Sequence, residues 1–126
     1  MRVIANSGLE YIPDWNANRK QSKESKLKIE YKYLSGPERD KIIGFEPVTF
    51  NPDGDQIGGF TFRIDNEGLL RASIINIANL EIEINGEYKQ VNVEDICDRP
   101  ELAGLYRELV DFFMGINRPV DKKKFK

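Results

Sequence analysis

At 126 residues and a net charge of −2, the chain has the size of one domain and can bury a core without disulfides or a structural metal. Hydrophobic residues make up 40% and charged residues 32%, and so small a net charge sets up no global field that would draw nucleic acid or a membrane surface. One cysteine and no histidine exclude an intramolecular disulfide and a Ser–His or Cys–His nucleophile pair, and leave a zinc site only carboxylates and one thiolate.

The first residues lack the long apolar core of a signal peptide, and no run approaches the ~18 apolar residues of a membrane span. With a single Cys, a cytosolic setting is expected. Val3 and Ile4 precede a turn signal, Asn6-Ser7-Gly8, and suit an edge strand. Residues 1–19 read as an aromatic arm: Tyr11, Ile12 and Trp15 are large and apolar, while Pro13, Asn16 and Asn18 disfavour regular structure. Such an arm either packs on its own domain or docks on a partner chain. Residues 20–26 read as a polar linker.

The α+β domain is expected over 27–118. Leu27, Ile29, Tyr31 and Tyr33 alternate with Lys28, Glu30 and Lys32, which predicts a strand with one apolar and one wet face. Ser35 and Glu38 form a capping box for a short helix through Ile43, closed by Gly44. Pro47 limits 45–50 to an edge strand. Asn51, Pro52, Asp53 and Gly54 predict a turn, and Phe60, Phe62 and Ile64 a strand. For 66–79 helical spacing of Leu69, Leu70, Ile74 and Ile77 competes with a β-branched run; helix is the preferred reading, with Asp65 or Asn66 as N-cap.

Residues 80–116 read as the organising stretch. Asn85-Gly86 predicts a type I′ hairpin with Leu80 facing Val91. Ile82 then faces Lys89, a mismatch that a longer loop or a bulge would correct. Asn92 to Asp95 suits a capped turn. From Pro100, the residues Leu102, Leu105, Tyr106, Leu109, Phe112, Phe113 and Ile116 form one apolar helical stripe, with Arg107, Glu108 and Asp111 on the other side. Residues 119–126 are a basic flexible tail carrying Lys122, Lys123, Lys124, Phe125 and Lys126. The fold class is therefore single-domain α+β, with antiparallel strands and a hairpin packed on a C-terminal amphipathic helix.

Chemistry-bearing patterns are weak. Asn51, Asp53 and Asp55 match the first offsets of a calcium loop, but Gln56 and Phe62 stand where Gly and the bidentate Glu are needed. Gly54, Gly58 and Gly59 fit no phosphate-binding fingerprint. Glu81 and Glu83 share the wet face of a strand, where nothing raises a carboxylate pKa. Cys97 has acidic neighbours and reads as an inert thiol. Tyr31 and Tyr33, flanked by lysines, suit a stacking platform for single-stranded nucleic acid, but core-facing aromatics are the preferred reading. No catalytic, cofactor or metal residue emerges, and a non-enzyme without cofactors is expected.

Two stretches carry a resemblance. Tyr11-Ile12-Pro13-Asp14-Trp15-Asn16-Ala17-Asn18-Arg19, and Ile77-Ala78-Asn79-Leu80 with the Asn85-Gly86 turn and the segment from Pro100 to Leu109, resemble small proteins from tailed-phage and prophage morphogenesis regions, some tail-assembly-chaperone-like. The resemblance implies a phage structural or assembly protein, in tail or head–tail morphogenesis, that acts through protein contacts in the host cytoplasm or the virion. Its partners are then other assembly proteins or itself as a homo-oligomer, with no membrane and nucleic acid disfavoured. The expected partner-binding residues are Tyr11, Ile12, Trp15, Arg19, Lys122, Lys123, Lys124 and Phe125. Two alternatives are a small phage regulator or counter-defence protein that sequesters a ligand or blocks a host factor, and a weak nucleic-acid-binding module.

Overall fold

Helix α4, Ala103–Asn117, is the element most of the core is built on. The computed structural model describes residues 1–2, 8–47 and 60–117. Leu105, Leu109 and Phe113 on α4 are fully buried and Val110 nearly so; Tyr106, Phe112 and Ile116 are half-buried against the same core. Each fully buried side chain of this size contributes roughly 1.5–3 kcal/mol. The segment Pro100–Leu102 is a 3-10 turn ahead of the helix, so Pro100 precedes α4 instead of lying in its first turn.

Three strands form an antiparallel sheet in the order β1-β2-β5: β1, Leu9–Tyr11; β2, Lys28–Tyr31; and β5, Ile74–Ala78. The expected alternation holds in β2, where Ile29 and Tyr31 are buried and Lys28 and Glu30 are not. The strand stops at Tyr31, after a register irregularity at Glu30/Tyr31, so Tyr33 lies outside it. Strand β1 was not anticipated in the sequence. The predicted strand at Val3 and Ile4 lies outside the described residues.

Helix α1, Gly36–Ile42, carries the predicted capping box at Ser35 and Glu38. It ends one residue early, and Gly44 does not close it. Ile43 turns to extended geometry (φ −113°, ψ 111°) and begins β3, Ile43–Pro47, which pairs antiparallel with β4, Phe60–Ile64. The β-branched Ile43 gains a cross-strand partner, Ile64, that a further helical turn would forfeit. Pro47 sits at the end of β3, where a missing N–H is tolerated.

Residues 66–79 divide between the two competing readings. Helix α2, Asn66–Ser73, is capped by the Asp65 carboxylate, which accepts from Gly68 N–H, and then Ile74 turns to extended geometry and opens β5. The helical preference is thus corrected for 74–78. Ile77 pairs with Ile29, and ladder bonding to β2 outweighs a spacing that leucines and isoleucines satisfy either way.

The hairpin joins β6, Glu81–Ile84, to β7, Glu87–Gln90, through Asn85 (φ 52°) and Gly86 (φ 84°), as a type I′ turn requires. Val91 N–H donates to the Leu80 carbonyl at 2.9 Å, and no bulge intervenes. Ile82 does face Lys89; the mismatch is resolved because the Lys89 ammonium lies 3.5 Å from the Asp95 carboxylate. Asp95 belongs to α3, Val93–Asp98, a full helix grown from the predicted capped turn, with Asn92 and Asp95 forming its capping box. The architecture is a single α+β domain of antiparallel sheets with a C-terminal helix.

Candidate functional site

Residues 9–20 do not stand away from the domain. The Tyr11 ring stacks on Phe112 of α4, with centroids 3.9 Å apart and planes 14° from parallel. Its hydroxyl donates to Glu108 Oε2 at 2.6 Å, and Asp14 N–H donates to the same oxygen at 2.8 Å. Burial first, and then the bond to Glu108, push the Tyr11 phenol up to about 12. Glu108 is therefore not on the solvated side of its helix, as the sequence pattern suggested. The signal was present, however: a carboxylate one turn before Phe112 is where a Tyr stacked on that ring can reach (i, i+4).

From Trp15 the chain enters a 3-10 segment, Trp15–Lys20, in which Asn16 (φ 55°, ψ 39°) and Ala17 (φ 57°, ψ 28°) are both left-handed. Ala17 has no polar side chain to offset that geometry, which costs roughly 1–2 kcal/mol. The double kink puts Trp15 against α4 and returns Asn18 to the sheet. Gly104 makes room for the indole: a Cβ there would lie 3.1 Å from Trp15 Cδ1 and Nε1.

Asn18 is buried and fully bonded. Its amide donates to the carbonyls of Pro13 at 2.8 Å and Leu27 at 3.0 Å, and its oxygen accepts from Leu27 N–H at 2.7 Å. Arg19 Nε donates to the Ile12 carbonyl at 3.0 Å. The expected linker is also tied down, because Asn79 (φ 66°) donates to the carbonyls of Glu24 and Lys26.

Of the predicted partner-binding residues, the structure brings Tyr11, Ile12, Trp15 and Arg19 together in this clasp on α4. Lys122, Lys123, Lys124 and Phe125 lie outside the described residues, as do Asn51, Asp53 and Asp55.

Beside the clasp runs an open groove of about 820 Å³, lined by Trp15, Asn16, Leu80 through Asn85, Arg99, Glu101 and Leu102. One wall is the outer edge of β6. The Leu80–Val91 bond sets the parity of the hairpin, so Ile82 and Ile84 bond inward to β7 while Glu81 and Glu83 aim their N–H and C=O groups outward. Among the described residues those groups have no partner, and β6 pairs with β7 alone. The charge around the groove is three carboxylates (Glu81, Glu83 and Glu101) to one guanidinium, and Arg99 already lies 3.7 Å from Asp95. This edge was not singled out in the sequence; its neighbours along the groove come from three distant parts of the chain.

The other candidates resolve simply. Tyr31 is 8% exposed and packs edge-on against Phe112 and Phe113, whereas Tyr33 is 44% exposed, so the two do not present a stacking platform. Glu81 and Glu83 are exposed. Burial pushes the half-buried Cys97 thiol up; Arg71, a cation the local sequence did not reveal, pulls the other way but is itself held by Glu94 at 2.6 Å and Glu67 at 3.2 Å. Among the described residues no three His, Cys, Asp or Glu side chains are grouped to hold a metal ion, and no helix is long and apolar enough to cross a membrane.

The fold is a single α+β domain, and among the described residues the groove runs along a strand edge, that of β6, with no strand partner. No known family model matches the chain, and no curated protein or solved structure is significantly similar to it.

Proposed function

We propose that this chain is a non-enzymatic protein that works by binding other protein chains, and that the groove along β6 is its contact surface. The observation that carries this reading is the pair of outward-facing backbone positions at Glu81 and Glu83, without partners among the described residues, set beside an apolar floor of Trp15, Ile82 and Leu102. An extended peptide added to such an edge gains main-chain hydrogen bonds, and its alternate side chains meet the floor. An exposed edge also invites unwanted pairing, and the two charges on its outer face are the usual protection against that.

The resemblance of the Tyr11–Arg19 and Pro100–Leu109 stretches to tailed-phage morphogenesis proteins supports tail or head–tail assembly as the setting, in the host cytoplasm or the virion. The test is a photo-crosslinking residue at position 83, introduced in the producing cell. A discrete protein adduct, lost when Glu81 is also made proline, is expected. Labelling of nucleic acid or small molecules alone, with no protein adduct, would refute the reading.

A further inference from the structure

We infer that the β6 edge receives the basic C-terminal segment of a second copy of this chain, added as an antiparallel strand; this rests on the contact reading above and names its partner. Residues 121–126 run Asp-Lys-Lys-Lys-Phe-Lys, so in an extended strand Lys122, Lys124 and Lys126 share one face, and Lys123 and Phe125 the other. The β6 edge has the complementary alternation, with Glu81 and Glu83 on the outer face and Ile82 on the inner. Pairing Lys124 with Glu83 and Lys126 with Glu81 satisfies the outward backbone groups of both glutamates and sets an ammonium beside each carboxylate. Phe125 then falls opposite Ile82, toward Trp15 and Leu102. Lys123 then falls opposite Ile84 at the hairpin end of the strand, beyond Trp15 and Leu102; a one-residue slip would place Phe125 among the carboxylates and a lysine opposite Ile82 itself, so the pairing of Phe125 with Ile82 specifies the register.

Chain length favours a second copy over the same one. Helix α4 begins beside the groove, where Gly104 meets Trp15, and ends at Asn117. At 1.5 Å per residue that end is about 21 Å away. The seven steps from Asn117 to Lys124 span at most about 25 Å. That leaves almost nothing for reversing direction and crossing from the helix to the strand edge.

The experiment is light scattering on the full chain, on a chain ending at residue 118, and on the full chain carrying Glu81→Lys and Glu83→Lys, both exposed positions. The full chain is expected to form a defined oligomer and each variant to be monomeric. Mixed, the two variants are expected to form a 1:1 heterodimer, because one retains the edge and the other the tail. A full chain monomeric at all concentrations, an oligomer that survives loss of the tail, or a mixture that stays monomeric would overturn the inference. If position 83 nevertheless crosslinks to a different protein, the contact reading stands without it; if it crosslinks to no protein, both fall.

Discussion

Replacing Asn18 by alanine tests how firmly the N-terminal segment is held. The side chain makes three hydrogen bonds to backbone groups of Pro13 and Leu27, and all three residues are buried. Leu27 precedes β2, so neither its N–H nor its carbonyl belongs to the β2–β5 ladder. Truncation leaves one donor and two acceptors without partners, each costing about 1–3 kcal/mol when it stays dry. Taking the lower half of that range for the three groups, we expect a loss of about 3–6 kcal/mol, a large share of the ~5–15 kcal/mol typical of a domain. Urea denaturation followed by circular dichroism measures it; the midpoint should fall with little change in slope. Asn18→Asp keeps the acceptor but turns a carboxylate toward two carbonyls. Its folded-state pKa is then raised, so its deficit relative to the parent should be largest near neutral pH, narrow as the pH falls toward about 4, the free Asp value, and stay level below it. A loss under 1 kcal/mol for Asn18→Ala would refute the reasoning, because it would mean that the three groups find other partners at no cost.

Three further outcomes follow from single contacts. Gly115→Ala, with open space around its Cβ, should stabilise α4 by about 0.5–1 kcal/mol, whereas Gly104→Ala should gain less and shift the emission of the sole tryptophan; equal gains with unchanged emission would contradict the contact with Trp15. The hydroxyl of Ser73 is buried and makes no hydrogen bond to the described protein groups, so Ser73→Ala should raise stability by about 1 kcal/mol in thermal or urea melts, and a loss of that size would show a bound partner. Tyr11, with its phenol pushed up from 10.0 to about 12, favours folding in its neutral form. That contribution is full below pH 10 and is lost as pH rises toward 12. Tyr11→Phe should therefore be less stable than the parent at neutral pH, with the gap closing across that window in absorbance-monitored melts; a constant gap would deny the coupling.

Most of the fold could be read locally. The Ser35 and Asp65 caps, the Asn85-Gly86 turn and the stripe on α4 are signals contained within a few residues, and each appears where the pattern put it. Difficulties arose where partners are distant. Ile74 to Ile77 suits a helix until Ile29 is there to pair with, and Glu108 looks solvated until Tyr11 is laid across Phe112. The mismatch of Ile82 with Lys89 needed no bulge, because Asp95 on another element supplies the countercharge. The groove was illegible for the same reason: an unpaired strand edge is a property of what does not lie next to it, and no residue pattern records that.

The clasp on α4 has a consequence for how the chain is made. Tyr11 and Glu108 are 97 positions apart, and Asp14 and Glu108 are 94 apart. At roughly 5–20 residues per second, the ribosome releases Tyr11 and Trp15 some ~5–20 s before their landing site has been translated. During that interval the aromatic segment has no helix to lie on and the strained turn at Asn16 and Ala17 has nothing to hold it. The segment is thus synthesised before α4 but seated only after it, and its arrival reports that α4 is in place.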